Sequence, residues 1–243
     1  MKIKHLFFDL DHTLWDFNKN AQETLTELYN ELLLSDHFPS FIAFYTKYIE
    51  VNDSLWDLYR KKLITKASLR SIRFIRTFEY FDLYNVALAE TLGNEYVRRG
   101  PYKSNLFPSC HEVLADLKSR YHLHIITNGF EEVQTVKMQY SNLNQYFKEV
   151  ITSEKAGVTK PHPQIFEYAL AVTGAKATES IMIGDNFEVD CKGAENVGIR
   201  AVHFNPDKTI QNNKVSYEIA HLKELLDCFS KSQLQFRHPL PYR

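Results

Sequence analysis

Short apolar runs that alternate with helical segments constrain the fold of this 243-residue chain most strongly. The apolar runs, read as strands, cover residues 3–8, 122–127, 149–152, 180–184 and 199–204. Helical patterns are expected at 110–119, at 131–140, from Pro163 to Gly174, at 189–197 and at 219–229. Continuously apolar runs are typical of strands that are buried on both faces. Strands separated by helices form βαβ units, so the sequence predicts an α/β fold with a mainly parallel sheet.

The segment between the first strand and residue 102 has a different character. None of the eight glycines precedes Gly93, and 17 of the 33 aromatic residues lie between Trp15 and Tyr102. Apolar residues recur there at helical spacing, which predicts four or five antiparallel helices, the first over 20–34, and no strand. Gly100, followed by a proline, ends this block.

These patterns divide the chain into three parts. We expect a core domain formed by residues 1–14 and 103–229. Residues 15–102 are expected to form an inserted, all-helical domain. Residues 230–243 are expected to form a loosely attached polar tail, because this stretch is polar and contains two prolines.

Charge and cysteine content exclude several classes of protein. With 29 basic and 30 acidic side chains the net charge is −1, which argues against binding to nucleic acid polymers or anionic membranes through bulk charge. No apolar run approaches the roughly 18 residues of a membrane span, and the amino terminus does not resemble a signal peptide. Cys110, Cys191 and Cys228 are too few and too widely spaced for a disulfide framework. We expect a cytoplasmic protein with reduced thiols, and no partner protein is evident.

Polar side chains follow three of the predicted strands, and a lysine precedes the Pro163 helix. The candidates are Asp9, Asp11, Thr127, Asn128, Lys160, Asp185 and Asp190. In an open parallel sheet, ligands bind beyond the carboxyl ends of the strands. We therefore expect these side chains to lie close together.

Such a cluster suits phosphate chemistry. Asp9, Asp11 and Asp185 would repel one another unless a cation lay between them, and an all-oxygen site with room for water suits Mg²⁺. A free carboxylate can attack phosphorus. A second carboxylate two residues later lies on the same side of an extended strand and could transfer protons. Lys160 would balance negative charge, while Thr127 would hold phosphate oxygens.

Four segments carry a family resemblance. The segments are FFDLDHTL at 7–14, IITNG at 125–129, KPHPQIF at 160–166 and IMIGDNFEVD at 181–190. In the family's order, they resemble the four catalytic motifs of the haloacid dehalogenase-like (HAD) superfamily. The resemblance implies a Rossmann-like core with a helical cap inserted after the first strand.

The resemblance also implies residue roles. Asp9 would be the nucleophile and Asp11 the general acid and base. Mg²⁺ would be held by the Asp9 and Asp185 carboxylates and by the main-chain carbonyl of Asp11. Thr127 and Asn128 would bind the phosphoryl group, and Lys160 would anchor both Asp9 and the phosphate. Asp190 would support the site from behind the metal ligands, or else serve only as a charge at a helix amino terminus.

Two details favour one branch of the superfamily. Dehalogenases generally lack an acid at the position of Asp11, so its presence favours phosphoryl transfer. The family usually has glycine where this chain has His12, and this departure resembles the nucleotidase-like subgroup with helical caps, as does Trp15-Asp16-Phe17.

We therefore predict a Mg²⁺-dependent phosphatase whose substrate is a small phosphorylated metabolite, with a nucleoside 5′-monophosphate as one candidate. A sugar-phosphate mutase and a non-catalytic protein that binds phosphorylated ligands are the alternatives. A dehalogenase is disfavoured.

Overall fold

The computed structural model describes residues 2–209 and 217–230, and these fall into two compact units. One unit comprises the described residues up to Phe17 and from Ser104 onward, and the other comprises Asn18–Lys103. The predicted boundaries were after residue 14 and before residue 103. Residues 231–243 of the predicted polar tail lie outside the described residues.

The unit that contains Asn18–Lys103 is helical throughout its regular structure. Its α-helices are α1 (Phe17–Glu31), α2 (Phe41–Arg60), α3 (Lys66–Glu79) and α4 (Val86–Arg99). Polar side chains begin three of them: Ser40, Thr65 and Asn85 each accept a hydrogen bond from a backbone N–H in the first turn of α2, α3 and α4. Many of the aromatic side chains of this segment are buried, including Phe44, Phe74 and Phe78, and they contribute to the apolar packing of these helices together with buried leucines.

The other unit is built on a parallel sheet, as predicted. Among the described residues the sheet has six strands in the order β3-β2-β1-β4-β5-β6. They are β1 (His5–Phe8), β2 (His122–Thr127), β3 (Phe147–Thr152), β4 (Ser180–Gly184), β5 (Arg200–Phe204) and β6 (Glu218–Ile219). The helices of this unit are α5 (Cys110–Lys118), α6 (Glu131–Tyr140), α7 (Ser153–Ala156), α8 (Pro163–Thr173), α9 (Gly193–Glu195) and α10 (Glu224–Ser230). A π-helical turn, Phe187–Lys192, leads directly into α9.

The central strand, β1, is buried on both of its faces. Every residue of β1 is buried, and Leu6 and Phe8 pack into one apolar cluster while Phe7 packs into another on the opposite face. Both faces of the strand are therefore buried, which is why Leu6, Phe7 and Phe8 are apolar in succession.

The last part of the predicted pattern was wrong in one respect. A single helix was expected over 219–229, but β6 occupies Glu218–Ile219 and α10 begins only at Glu224. A strand of two residues is too short to produce a periodic signal. The Glu224 carboxylate accepts hydrogen bonds from the backbone N–H groups of Ala220 and His221, which fixes the turn that delays the helix.

The strand order determines where ligands can bind. β1 lies between β2 and β4, with Phe8 in register with both Ile125 and Ile183. After β1 the chain forms β2 and β3 on one side of that strand and then crosses to β4 on its other side. The carboxyl ends of β1, β2 and β4 therefore lie next to one another at one edge of the sheet. Among the described residues, no helix combines the length and the hydropathy needed to cross a membrane.

A pair of buried histidines lies on the neighbouring inner strands β1 and β2. His5 and His124 are both buried, and the Nδ1 atom of His5 lies 3.1 Å from the Nε2 atom of His124. Burial and the neighbouring His122 lower the pKa of His5, while burial and His5 lower the pKa of His124 to about 3. Both rings are therefore neutral in the folded state at neutral pH.

Acid should consequently weaken this fold. An unfolded histidine binds a proton below its ordinary pKa of about 6.5, whereas folded His124 does not. The free energy of unfolding should thus fall as the pH drops from about 6.5 towards 3, by up to about 1.4 kcal/mol per pH unit for each such histidine. Urea unfolding at pH 7.5 and 5.5 measures the effect. His124→Gln should reduce this pH dependence, whereas His221→Gln, at an exposed position, should not. An equal change in the free energy of unfolding between the two pH values in both variants would contradict the account.

Candidate active site

The predicted site residues lie at the edge where β1, β2 and β4 end. Asp9 directly follows β1, and its backbone N–H donates to the carbonyl of Ile183 in β4 at 2.9 Å. Thr127 is the last residue of β2, and Asp185 follows the last residue of β4. Parallel pairing therefore brings Asp9 together with residues that are more than one hundred positions away in the sequence.

A buried lysine organises the centre of this edge. The Lys160 ammonium donates to Asp9 Oδ1 at 2.6 Å and to the carbonyl of Ile126 at 2.7 Å, and it lies 2.7 Å from Asp190 Oδ1. Its side chain is only 2% exposed. Burial alone would lower the pKa of Lys160, but the carboxylates of Asp190 and Asp9 outweigh it and hold the pKa above its ordinary value. Lys160 is therefore a permanent positive charge.

Three carboxylates lie close together beside this lysine. Asp9, Asp185 and Asp190 each offer an oxygen atom within 4.8 Å of the others. Burial, together with Asp190 and Asp185, raises the pKa of Asp9 well above its ordinary value despite the opposing Lys160. Burial and Asp190 raise the pKa of Asp185 to about 7. The raised pKa values mean that one ammonium does not offset the repulsion among these carboxylates, and a cation beside them would favour their ionised form. Clustered hard oxygen donors are the donor set that fits Mg²⁺.

Asp185 is held by a neighbouring hydroxyl group and a buried imidazole. The Thr13 hydroxyl donates to Asp185 Oδ1 at 3.0 Å and accepts from the Asp185 backbone N–H at 3.1 Å. His203 Nε2 lies 2.8 Å from the main-chain carbonyl of Asp185, and its Nδ1 lies 2.9 Å from a carboxylate oxygen of Glu218. Both contacts fix the turn after β4, and the part played by His203 was not predicted.

Asp11 is not one of the three clustered carboxylates, and its own carboxylate contacts α6. Its Oδ2 accepts a hydrogen bond from Gln134 at 2.8 Å, and its Oδ1 accepts one from the Lys137 ammonium. Burial alone would raise the pKa of Asp11, but Lys137 and the hydrogen bond from Gln134 outweigh it and hold the pKa below its ordinary value. The two carboxylates of the first motif therefore occupy different electrostatic environments.

The second motif contributes two side chains in different ways. The Thr127 hydroxyl lies at the strand end and accepts from the Gly129 backbone N–H at 3.1 Å. The Asn128 side chain instead forms two hydrogen bonds with the main chain of Lys160, donating at 3.0 Å and accepting at 2.7 Å. Asn128 thereby holds the loop that carries Lys160, and its predicted contact with phosphate stays a prediction.

Asp190 lies on the buried side of the lysine. It is 2% exposed, and while one carboxylate oxygen faces Lys160 the other accepts from the Asn186 backbone N–H at 3.1 Å. Both oxygens are thus engaged by the protein itself. This environment suits the predicted supporting position more closely than that of an exposed helix-end charge.

His12 occupies the position where the family usually has glycine. Its φ angle is 62°, which lies in the left-handed region. A residue with a side chain is strained there by about 1–2 kcal/mol, which is the physical reason for glycine at this turn. His12 adopts the same backbone conformation nonetheless, and its ring centroid lies 4.7 Å from that of Phe17.

Glycine at the end of β4 makes room for Asp190. A Cβ atom at Gly184 would lie 2.4 Å from Asp190 Oδ2 and 2.5 Å from Asp190 Cγ. Gly184→Ala should therefore displace the carboxylate from Lys160 and cost about 1–3 kcal/mol in the free energy of unfolding, as other overpacked sites do. Urea unfolding measures this loss.

A matched substitution controls for the added methyl group. Gly100 has a helical φ of −53°, and a Cβ atom there would meet its nearest neighbour at 3.9 Å. Gly100→Ala should cost less than Gly184→Ala, because its penalty is limited to the helical conformation of a residue that precedes proline. If both alanine variants are equally stable, the close approach at Gly184 does not hold Asp190 in place.

The chain is similar in sequence to known hydrolases. The sequence model of the family described as haloacid dehalogenase-like hydrolase matches residues 3–198. Pyrimidine 5′-nucleotidase PynA of Streptococcus pneumoniae is 31% identical over 97% of this chain and 98% of its own length. Pyrimidine 5′-nucleotidase YjjG of Escherichia coli is 30% identical over 93% of this chain and 97% of its own length.

A solved structure has the same fold. The HAD-hydrolase YfnB of Bacillus subtilis, crystallised with magnesium, superimposes with a TM-score of 0.85 at 24% identity, covering 95% of this chain and all of that one. The family match spans most of the chain, and the two nucleotidases align over nearly their whole length. The chain belongs to the haloacid dehalogenase-like hydrolases, as its four motifs predicted.

Proposed function

We propose that this hydrolase is a Mg²⁺-dependent phosphatase that cleaves small phosphomonoesters through an aspartyl-phosphate on Asp9. The observation that carries the proposal is the buried contact of Lys160 with Asp9 and Asp190 beside Asp185. This arrangement fixes one oxygen of Asp9 on the ammonium and leaves the other for attack on phosphorus.

The reaction takes two steps in this proposal. In the first, the second carboxylate oxygen of Asp9 bonds to phosphorus, the bond to the ester oxygen breaks, and Asp11 gives that oxygen a proton. In the second, Asp11 takes a proton from a water molecule whose oxygen attacks phosphorus, which releases phosphate and restores Asp9. Lys137 favours ionised Asp11, as the second step requires, while a dianionic substrate nearby favours the protonated form that the first step requires.

Other groups of the site hold the phosphoryl oxygens. The Thr127 hydroxyl at the end of β2 and the Lys160 ammonium are placed to stabilise charge that develops on these oxygens. The carboxylates of Asp9 and Asp185 and the main-chain carbonyl of Asp11 would hold Mg²⁺. When bound, the ion would neutralise negative charge on the phosphoryl group.

We propose a pyrimidine nucleoside 5′-monophosphate as the substrate. The support is that two relatives, each aligned with more than nine-tenths of this chain, are named pyrimidine 5′-nucleotidases. The helical unit, Asn18–Lys103, would then act as the cap that selects the substrate. We assign the activity to the cytoplasm, a proposal supported by three buried cysteines that are all unpaired.

A phosphate-release screen with Mg²⁺ tests the activity. Its compounds are pyrimidine and purine nucleoside 5′-monophosphates, sugar phosphates and small acid phosphates. We expect the fastest release from pyrimidine nucleotides, and loss of release when EDTA removes the metal ion. Isomerisation of a sugar phosphate without release would identify a mutase. Metal-dependent binding without turnover would identify a non-catalytic protein. Release of halide from 2-haloacids would identify a dehalogenase.

A further inference from the structure

We infer that Gln134 and Lys137 are positioning residues that hold Asp11 for proton transfer, and that Gln134 also directs the Thr127 hydroxyl. This inference rests on the proposed function, because it concerns the group that transfers protons there. Both residues lie on one face of α6, three positions apart, and both side chains are buried. Neither belongs to the four motifs that the sequence predicted.

Lys137 lies between a carboxylate and an aromatic ring. Its ammonium donates to Asp11 Oδ1 and lies 4.1 Å from the centroid of the Trp15 ring. Lysine is rarely buried unless it is paired, and here only 7% of the side chain is exposed. The indole face attracts the cation and fixes its place, so the ammonium holds Asp11 from one fixed direction.

Gln134 connects the acid with the second motif. Its side-chain nitrogen donates at 2.8 Å to Asp11 Oδ2 and at 2.8 Å to Thr127 Oγ1. An ionised carboxylate can only accept, so the amide must present its NH₂ group to Asp11. Each oxygen of Asp11 is thus held by a different residue, and the carboxylate cannot rotate without breaking one of these bonds.

The same contact determines where Thr127 can donate. The Thr127 oxygen accepts from both Gln134 and the Gly129 backbone N–H, which uses its two acceptor positions. The hydroxyl hydrogen must therefore point in the remaining tetrahedral direction. Gln134 leaves Thr127 as a donor with a fixed orientation, which is the property that a phosphoryl oxygen needs.

The glycine of the second motif makes this arrangement possible. A Cβ atom at Gly129 would lie 2.2 Å from Nε2 of Gln134 and 2.4 Å from its Cδ. The amide of Gln134 consequently occupies the space that any other residue at 129 would fill. A side chain at 129 would push Gln134 away from both Asp11 and Thr127.

Substrates with different leaving groups separate this role from simple packing. Phenyl phosphate and 4-nitrophenyl phosphate have nearly the same shape, but phenolate leaves far less readily than 4-nitrophenolate and depends more on a proton from Asp11. We expect Lys137→Met to lower kcat/KM, which reports only the first step, by about tenfold or more for phenyl phosphate but by no more than about threefold for 4-nitrophenyl phosphate. Gln134→Met also releases Thr127, so it should lower kcat/KM for both substrates, and more for phenyl phosphate than for 4-nitrophenyl phosphate. Exposed Lys148→Met and Gln139→Met are matched controls and should leave both rates unchanged.

An Asp11→Asn background tests whether Lys137 acts through Asp11. There Lys137→Met should cause no further loss. If the methionine variant fails to fold, Lys137→Arg is measured instead. Because arginine keeps the positive charge, this variant should retain most of the wild-type rate with phenyl phosphate. Gln134→Met, but not Lys137→Met, should also weaken inhibition by inorganic phosphate several-fold, because only Gln134 contacts Thr127.

Two results would overturn the inference: equal losses on both substrates, or an undiminished effect of Lys137→Met in the Asp11→Asn background. Failure of the proposed function has a separate signature. If Asp11→Asn alone retains full activity on phenyl phosphate, Asp11 does not transfer the proton, whatever Lys137 and Gln134 do.

Discussion

Replacing Asp9 with asparagine should lower kcat for every phosphate ester by at least about 10⁴-fold, the scale seen when a nucleophile is removed. The amide has the shape of the carboxylate but cannot attack phosphorus in its place. Steady-state rates with 4-nitrophenyl phosphate and excess Mg²⁺ measure the loss.

The fold should survive this change. Asp9→Asn removes one of three mutually repelling carboxylates, and Lys160 keeps Asp190 as its partner. The free energy of unfolding should therefore not fall. Asp116→Asn, on an exposed position of α5 in the same unit, is the control and should leave kcat unchanged. Normal turnover by folded Asp9→Asn would disprove Asp9 as the nucleophile.

Lys160→Met should give the largest loss of stability at the site. Methionine fills the space of the lysine stem but leaves Asp9 and Asp190 without their shared ammonium. Breaking a buried ion pair by removing one partner costs about 3–5 kcal/mol in the free energy of unfolding. The variant should also lose nearly all activity, since the carboxylate of Asp9 is no longer held in place.

Urea unfolding in EDTA measures the loss of stability without any contribution from bound metal. The control is Lys155→Met, where the lysine side chain is 44% exposed and pairs with Glu131 at the surface. Surface pairs contribute about 0–1 kcal/mol, so this variant should differ little from the wild type. A loss below about 1 kcal/mol for Lys160→Met would show that the buried lysine does not stabilise the acidic cluster.

The sequence predicted the sheet well because both faces of its central strands are buried. Continuous apolar runs at 122–127 and 180–184 became β2 and β4 with unchanged bounds. The two-residue β6 could not be predicted, because its pairing depends on β5 and not on any pattern of its own.

The site was predicted in part, for a similar reason. Asp9, Thr127 and Asp185 follow strands, so their meeting could be inferred from parallel pairing alone. Gln134 and Lys137 look like ordinary polar positions on α6, and only the three-dimensional contact with Asp11 distinguishes them. Gln134, Lys137 and Met138 share one face of the helix by their spacing, and this was the one signal in the sequence, since polar residues on the apolar face of a helix need a partner.

The account rests on Asp9 carrying the phosphoryl group covalently during turnover. Rapid acid quenching tests this most directly. Protein mixed with substrate and Mg²⁺ is quenched within a turnover and analysed by peptide mass spectrometry. We predict one added phosphoryl group on the peptide that contains Asp9, removed by hydroxylamine and absent from Asp9→Asn. Phosphate release by the wild type with no modified Asp9 peptide, or with the label on another residue, would contradict the account.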